Sequence, residues 1–330
     1  VSVAKGSVII NDISFINLSS NSALITNDLL DLRGDTSVTL PIGNRFVVDT
    51  KGYLNVQQKL NVTSSGATSS TNPNNLPMIE NSGILDMNSS NGGDVFVPID
   101  NGSGGLVALG KGSKYNFRTI RNSGKLYFDQ TTVDLVDSSV TGDQSQNRKE
   151  PLHMKRGGQS QGRLNLRGDF MNEGDIVHDS TTGSLFEING GYTSTQDSTI
   201  YITIENTKSA GNGYSMLDIK NSAELRGRII ICIPENADLG NTNKLDVMKF
   251  ANRIGEFQDI QFGCTSKHKS STFSQAKSAK IAGVEEPKIE HKLMKAVSNG
   301  CSSTQYSTGS FTVLFNGCGS SKSDQELFQW

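Results

Sequence analysis

The chain has 330 residues, of which 34% are hydrophobic and 19% charged, both shares low for a globular protein. Its 31 basic and 33 acidic side chains leave a formal net charge of −2, so no global field draws it to nucleic acid or to an anionic membrane. No apolar run approaches the ~18–20 residues of a membrane span, and its polarity comes from uncharged Ser, Thr, Asn and Gly rather than from the charge blocks of a disordered tail.

In chain order, the sequence begins at Val1 without an initiator Met. A removed signal peptide or a cut within a longer chain would give such a start. Short alternating apolar runs follow at residues 7–10, 45–48, 94–97 and 199–204, separated by Asn, Ser and Gly clusters. These are strand and turn signals, and no helical period of useful length competes with them over the first two-thirds.

One short pattern recurs. Gly52-Tyr53-Leu54-Asn55-Val56, Gly83-Ile84-Leu85-Asp86-Met87, Gly124-Lys125-Leu126-Tyr127-Phe128 and Gly162-Arg163-Leu164-Asn165-Leu166 all read Gly-x-Leu-x-apolar. The Leu and the apolar residue two later share one face of a strand, which puts Leu54, Leu85, Leu126 and Leu164 in one continuous core. A second pattern, apolar-x-Asn-x-small, centres on Asn81, Asn122, Asn172 and Asn221, which lie 41, 50 and 49 residues apart. Asn bonds local backbone in a turn and Gly accepts a positive φ before the next strand. Irregular multiples of ~20–25 residues are the signature of stacked coils with loops of varying length, in which equivalent Asn side chains form a ladder. A β-sandwich with similar hairpin turns is the competing architecture.

From about residue 226 the strands lengthen, at 228–233, 244–250, 256–262 and 310–315, with cleaner alternation. That predicts an antiparallel sheet with one wet face, and a division into a parallel β-helix over 1–225 and a disulfide-bonded β-sandwich domain over 226–330. Residues 265–300 hold seven Lys against three Glu, net +4, and read as a solvated loop with room for a short helix at 288–297. A basic loop meeting an anionic polymer is the other reading.

The cysteines Cys232, Cys264, Cys301 and Cys318 are spaced 32, 37 and 17 residues apart, which fits no zinc pattern and suits two disulfides of an extracellular protein. Cys232–Cys318 with Cys264–Cys301 is the expected pairing, and Cys232–Cys264 with Cys301–Cys318 the alternative. Sequons at Asn17, Asn61, Asn88 and Asn101 agree with secretion.

Catalytic chemistry is sparse. Glycoside cleavage needs two placed carboxylates, and the richest stretch, Asp129, Asp134, Asp137 and Asp143, is turn-rich and reads as solvated acids. His153, His178, His268 and His291 are scattered. Gly104-Gly105 and Gly157-Gly158 lack the Lys or helix start of a phosphate cradle. No run has calcium-loop spacing. The sequence therefore names no catalytic, cofactor or metal residue, and no cofactor is expected.

The run Gly168-Asp169-Phe170-Met171-Asn172-Glu173-Gly174-Asp175-Ile176 resembles the Gly-x-Phe-x-Asn-x-Gly-x-apolar element of the hyphally regulated cell wall protein N-terminal domain, which heads many fungal adhesin-like wall proteins. Residues 79–87 and 120–128 resemble weaker copies, and the late cysteines with the 310–319 strand are similar to the end of that domain. The resemblance implies a right-handed parallel β-helix followed by a small β-sandwich. It also implies a secreted glycoprotein held at the cell wall by a GPI anchor in a further C-terminal region. Its function would be non-enzymatic adhesion or biofilm contact, with glycans or host and abiotic surfaces as partners and the chain as a monomer. A structural wall component without a specific ligand is the rival, and a polysaccharide lyase or hydrolase the more distant one.

Overall fold

The structure, a computed structural model, describes residues 2–3, 8–19, 22–65, 77–87, 90–110, 112, 114–135, 152–154, 158–178, 183–234, 237–265, 293–294 and 302–315. Among these the fold is all-β, without a helix, and most strands pair in parallel. The pairing runs as three ladders. Ladder A has eleven strands, from Ser2–Val3 and Ala23–Thr26 through Met78–Asn81, Ile99–Asn101 and Ile120–Asn122 to Ser222–Leu225 and Asn252–Gly255. Ladder B carries Leu29–Leu32, Tyr53–Val56, Ile84–Met87 and Leu106–Gly110, and ends with Arg228–Cys232 and Asp259–Phe262. Ladder C carries Thr36–Pro41, Leu60–Ser65, Gly93–Val95 and Lys114–Phe117, and later Met216–Ile219 and Lys244–Lys249. The long strands Lys125–Leu135 and Gly158–Arg167 each turn from ladder B into ladder C.

One tier is therefore three short strands, and each tier lies in register on the one before. Ladder A shows the period directly: Ile79 pairs with Ile99, Ile99 with Ile120, and Phe170 with Tyr192, steps of 20, 21 and 22 residues. Longer steps, such as Phe46 to Ile79 at 33, carry an insertion. Alternation along each strand sends every second side chain inward. Leu24, Phe46, Ile79, Leu54, Leu85, Leu126, Val62, Phe117 and Ile229 thus join one cluster that runs from the first tiers to Phe311 and Phe315.

Leu54, Leu85, Leu126 and Leu164 all lie in that core as the repeat predicts, but not on one strand line. The first three share ladder B, whereas Leu164 sits on ladder C between Thr131 and Phe186. In the middle tiers the outward side of ladder B is not wet either. Ile84, Leu106, Ala108 and Tyr127 form a second buried apolar cluster with Tyr53 packed against it.

Two expectations need correction at the C-terminal end. Strands Arg228–Cys232, Lys244–Lys249, Asn252–Gly255 and Asp259–Phe262 pair in parallel with earlier tiers, so the ladders run through residue 226 up to 262. Among the described residues every antiparallel pair includes a strand beyond that point. Ser310–Phe315 runs antiparallel along Lys244–Lys249, and Ser302–Tyr306 lies outside it. The clean alternation of residues 244–250 does not distinguish a parallel strand with one wet face from an antiparallel one, which is why the sequence suggested the latter. Of the helix considered at 288–297, residues Leu293–Met294 form a strand against Cys264–Thr265, and the rest lies outside the described residues. So does the lysine-rich stretch apart from residues 265 and 293–294.

Candidate functional site

The corner from ladder A to ladder B is where the recurring Asn and Gly act. Asn81, Asn101 and Asn122 occupy one register position on consecutive tiers, and all three are buried. Asn81 Nδ2 donates to Asn101 Oδ1 at 2.7 Å, and Asn101 Nδ2 donates to Asn122 Oδ1. Asn81 and Asn101 also donate to the carbonyls of Leu106 and Lys125 at 3.0 and 3.1 Å, and Asn122 donates to Gly124 O at 3.0 Å. Each amide thus gives a further donor to a backbone carbonyl at the corner, and two of the three also bond the Asn of the next tier. The pattern identifies Asn81, Asn122 and Asn172 correctly as corner residues. Ile99-Asp100-Asn101-Gly102-Ser103 reads the same way without having been singled out, and Asn221 is misplaced, being exposed on the C-to-A corner.

The corner glycines serve close approach rather than a positive φ. Gly52, Gly83, Gly105 and Gly124 are absent from the left-handed glycines of this chain. A Cβ at Gly83 would stand 2.2 Å from Gly52 O, and one at Gly124 would stand 2.3 Å from Gly105 O. Those carbonyls accept the N–H of the residue after the next tier's glycine, at 2.9 Å for both Ile84 and Lys125. Any side chain there would force the tiers apart. Gly104-Gly105 belongs to this column.

The best-organised polarity outside the core lies on the outward side of ladder C, where it is mostly half-buried. Asn61, Asp94, Asn116, Asp134 and Arg167 follow one another in register across five tiers. In-register side chains on neighbouring strands stand ~4.8 Å apart, where like charges repel. Here an amide separates the two acids and cations flank them. Asp94 accepts from Asn116 Nδ2 at 2.5 Å and pairs with Lys59 at 2.8 Å. Asp134 pairs with Lys114 at 2.8 Å and with Arg167 at 3.5 Å. Partial burial works against ionisation of Asp94, but the bonds from Lys59 and Asn116 and the charges of Lys59 and Lys114 outweigh it, and its carboxyl is held below the ordinary carboxylate value.

Of the acids singled out in the sequence, only Asp134 joins this column. Asp129 lies in ladder B opposite Gly110 and Gln161, and Asp137 and Asp143 lie outside the described residues. His153 sits in ladder A and His178 in ladder B, so the topology does not join them. His268 and His291 lie outside the described residues, as does Gly157 of the Gly157-Gly158 pair. Among the described residues no cluster of three His, Cys, Asp or Glu could hold a metal ion.

The disulfide expectation is corrected in part. Cys232, at the end of Arg228–Cys232, bonds to Cys264, with the Cα atoms 4.5 Å apart. The reason is register: Ile231 stands opposite Phe262 and accepts the N–H of Gly263, which brings residue 264 beside 232 one tier on. This bond belongs to the alternative pairing, Cys232–Cys264 with Cys301–Cys318, rather than to the preferred Cys232–Cys318 with Cys264–Cys301. Cys301 and Cys318 lie outside the described residues. Of the sequons, Asn17 is exposed and Asn61 is half-buried in the ladder C column, while Asn88 lies outside the described residues. Asn101 cannot carry a glycan in this fold, because its Nδ2 is fully buried and engaged in the Asn ladder.

Compared with known proteins, the chain matches no family model and no curated sequence.

Proposed function

We propose that the chain is a right-handed parallel β-helix that closes with an antiparallel hairpin, and that it serves as the exposed, non-enzymatic, adhesin-like domain of a secreted fungal cell-wall protein. It would be monomeric and anchored through a further C-terminal region, and its partners would be glycans or host and abiotic surfaces. The observation that carries this reading is the ladder C column. Its amides, acids and cations stand in a straight line at strand spacing, on a backbone fixed by the continuous core behind it. Such a line presents many weak hydrogen-bonding points at a regular interval, the arrangement that gains avidity on a repeating polymer. The same pairing argues against acid catalysis there. Asp94 is held ionised and Asp134 is tied to two cations, whereas glycoside cleavage needs one carboxyl kept protonated. The short Gly-x-Phe-x-Asn-x-Gly run at 168–174 supports the wall-protein family.

The test is a glycan array combined with cell and plastic adhesion, using the isolated chain and an Asn116→Ala/Asp94→Ala variant. Specific binding that weakens in the variant supports the reading. Silence in every assay contradicts it and favours a structural wall component. Product release from β-glucan, chitin, mannan or pectin that vanishes in Asp134→Ala would make the protein an enzyme.

A further inference from the structure

A second polar feature lies at the other end of the A-to-B corner, where three successive corners differ in length. Between Tyr192–Ser194 and Thr199–Ala210 the corner has four residues, 195–198. Between Ser222–Leu225 and Arg228–Cys232 it has two, 226–227. Between Asn252–Gly255 and Asp259–Phe262 it has three, 256–258. The short corner lies between two longer ones, so the surface steps inward for one tier. Neighbouring strands are ~4.8 Å apart, so the flanking corners stand about 10 Å from each other across this step. The floor is Gly227, whose φ is 72° and which has no side chain to fill the space. A Cβ there would stand 2.4 Å from Ser198 O, so no other residue fits. The result is a notch of about 260 Å³, with Gln196 and Asp197 on one wall, Gln258 and Asp259 on the other, and Arg228 next to Gly227 on the tier between them.

The chemistry of the lining is specific. Arg228 Nε donates to Asp259 Oδ2 at 2.7 Å, and Gln261 Nε2 donates to the same oxygen at 2.7 Å. Arg228 is thereby oriented and its charge matched, so Asp197 leaves the notch with a net charge of −1. The amides of Gln196 and Gln258 each donate and accept. No aromatic or long aliphatic side chain lines the space, which excludes a lipid or a flat apolar ligand. The acids of both walls disfavour phosphate and uronate. Mixed donors and acceptors in a small, wet recess match hydroxyl groups, each of which does both. The volume lies just under the ~300–1,000 Å³ of small-molecule sites, enough for one sugar unit rather than an extended ligand.

We infer that this notch is a subsite for a single neutral hexopyranose unit of a glycan chain. Asp197 and the two glutamines would take its hydroxyls, and Arg228 would be held in place by Asp259. The inference rests on the glycan-binding reading above and sharpens it to one place and one sugar class.

The test is amide-resolved NMR titration of the whole chain with neutral trisaccharides (β-1,3-gluco-, α-manno- and chito-oligomers) and with a trigalacturonate. It is repeated on an Asp197→Ala/Gln258→Ala variant whose melting temperature is checked to be unchanged. The expected result is saturable shifts at residues 196–199, 227–228 and 258–259 with a neutral trimer, at least tenfold weaker binding in the variant, and none with the uronate. Full affinity in the variant, with shifts elsewhere, overturns the notch while leaving glycan binding standing. Equal binding of the uronate overturns the sugar class. No shift with any neutral trimer overturns both the notch and the broader reading.

Discussion

The two ends of the stack are finished differently. At the C-terminal end the hairpin of Ser302–Tyr306 and Ser310–Phe315 lies along the last ladder C strand. Thr312 donates to Asp246 at 2.7 Å, Phe257 N–H donates to Tyr306 Oη at 2.9 Å, and Arg253 stacks 4.2 Å above the Tyr306 ring. Phe311 closes the core beneath, with Phe257 edge-on at 5.8 Å and Tyr306 at 4.8 Å. At the first tier nothing comparable is present among the described residues. Val8, Ile9, Ile13 and Phe15 are exposed, Phe15 to 76%. Inward-facing Val8 and outward-facing Phe15 are equally apolar in sequence. Stacking therefore protects a side chain only where a tier lies on both sides of it, and a tier at the end of the stack needs a cap to do the same work.

The comparison predicts a gradient. Leu126, fully buried in the middle, should cost about 2–5 kcal/mol when replaced by Ala, through the cavity left in the core, read by chemical denaturation. A Leu126→Ala protein of unchanged stability would break the account of the repeat. Next comes the bond that ties the last tiers together. Replacing Cys232 and Cys264 by Ser opens a loop with a sequence separation of 32 and should cost about 3–4 kcal/mol in the chain-entropy model. Hydrogen exchange should then rise first at residues 228–265. Uniform loosening from end to end would mean that the bond does not guard that end.

Asn101→Leu should cost about 1–3 kcal/mol, since corner carbonyls and the neighbouring Asn lose their partner. The same ladder predicts that a folded, secreted protein carries no glycan at Asn101, which peptide mapping reads. Acid gives a smaller, graded effect. Asp94 titrates below its ordinary value when folded, so its contribution is present above that value, near 3.8. It fades as the pH falls through the lower folded value, and Asp94→Asn should flatten that part of the acid-stability curve. Base acts at the opposite limit. Burial raises the Tyr192 hydroxyl far above its ordinary value of 10.0, against the bonds from Asn172 and Ser194. Its contribution is present below pH 10 and is lost as the pH climbs beyond it. The smallest change is expected at the first tier, where exposed Phe15→Ser should move stability by no more than about 0.5 kcal/mol.

Much of the stack was legible in the sequence, because its signals are local. A glycine that must admit a neighbouring carbonyl and a Leu that must face inward recur at Gly52-Tyr53-Leu54, Gly83-Ile84-Leu85 and Gly124-Lys125-Leu126. What escaped depends on partners distant in the chain. Asn101 fits the local pattern, but its role in the ladder is visible only when Asn81 and Asn122 lie on either side of it. Strand direction at 244–250 is set by which strands it joins, and alternation is blind to that. The Cys232–Cys264 bond follows from the Ile231–Phe262 register, which spacing alone does not fix. The ladder C column was missed because Asp94, Asn116 and Asp134 are ordinary polar residues of three separate strands.

One parallel register continues through residue 226. Spin labels test it directly. Glu80 and Arg121 lie two steps apart on ladder A, each paired with Asp100. Thr193 and Ile254 lie two steps apart across the disputed region, each paired with Glu224. Labelled as Glu80→Cys/Arg121→Cys and Thr193→Cys/Ile254→Cys, both pairs should sit at about 10 Å between backbones and give the same strong dipolar broadening in continuous-wave spectra. Broadening in the first pair with none in the second would contradict the account, and would place a separate domain where the parallel ladders are now drawn.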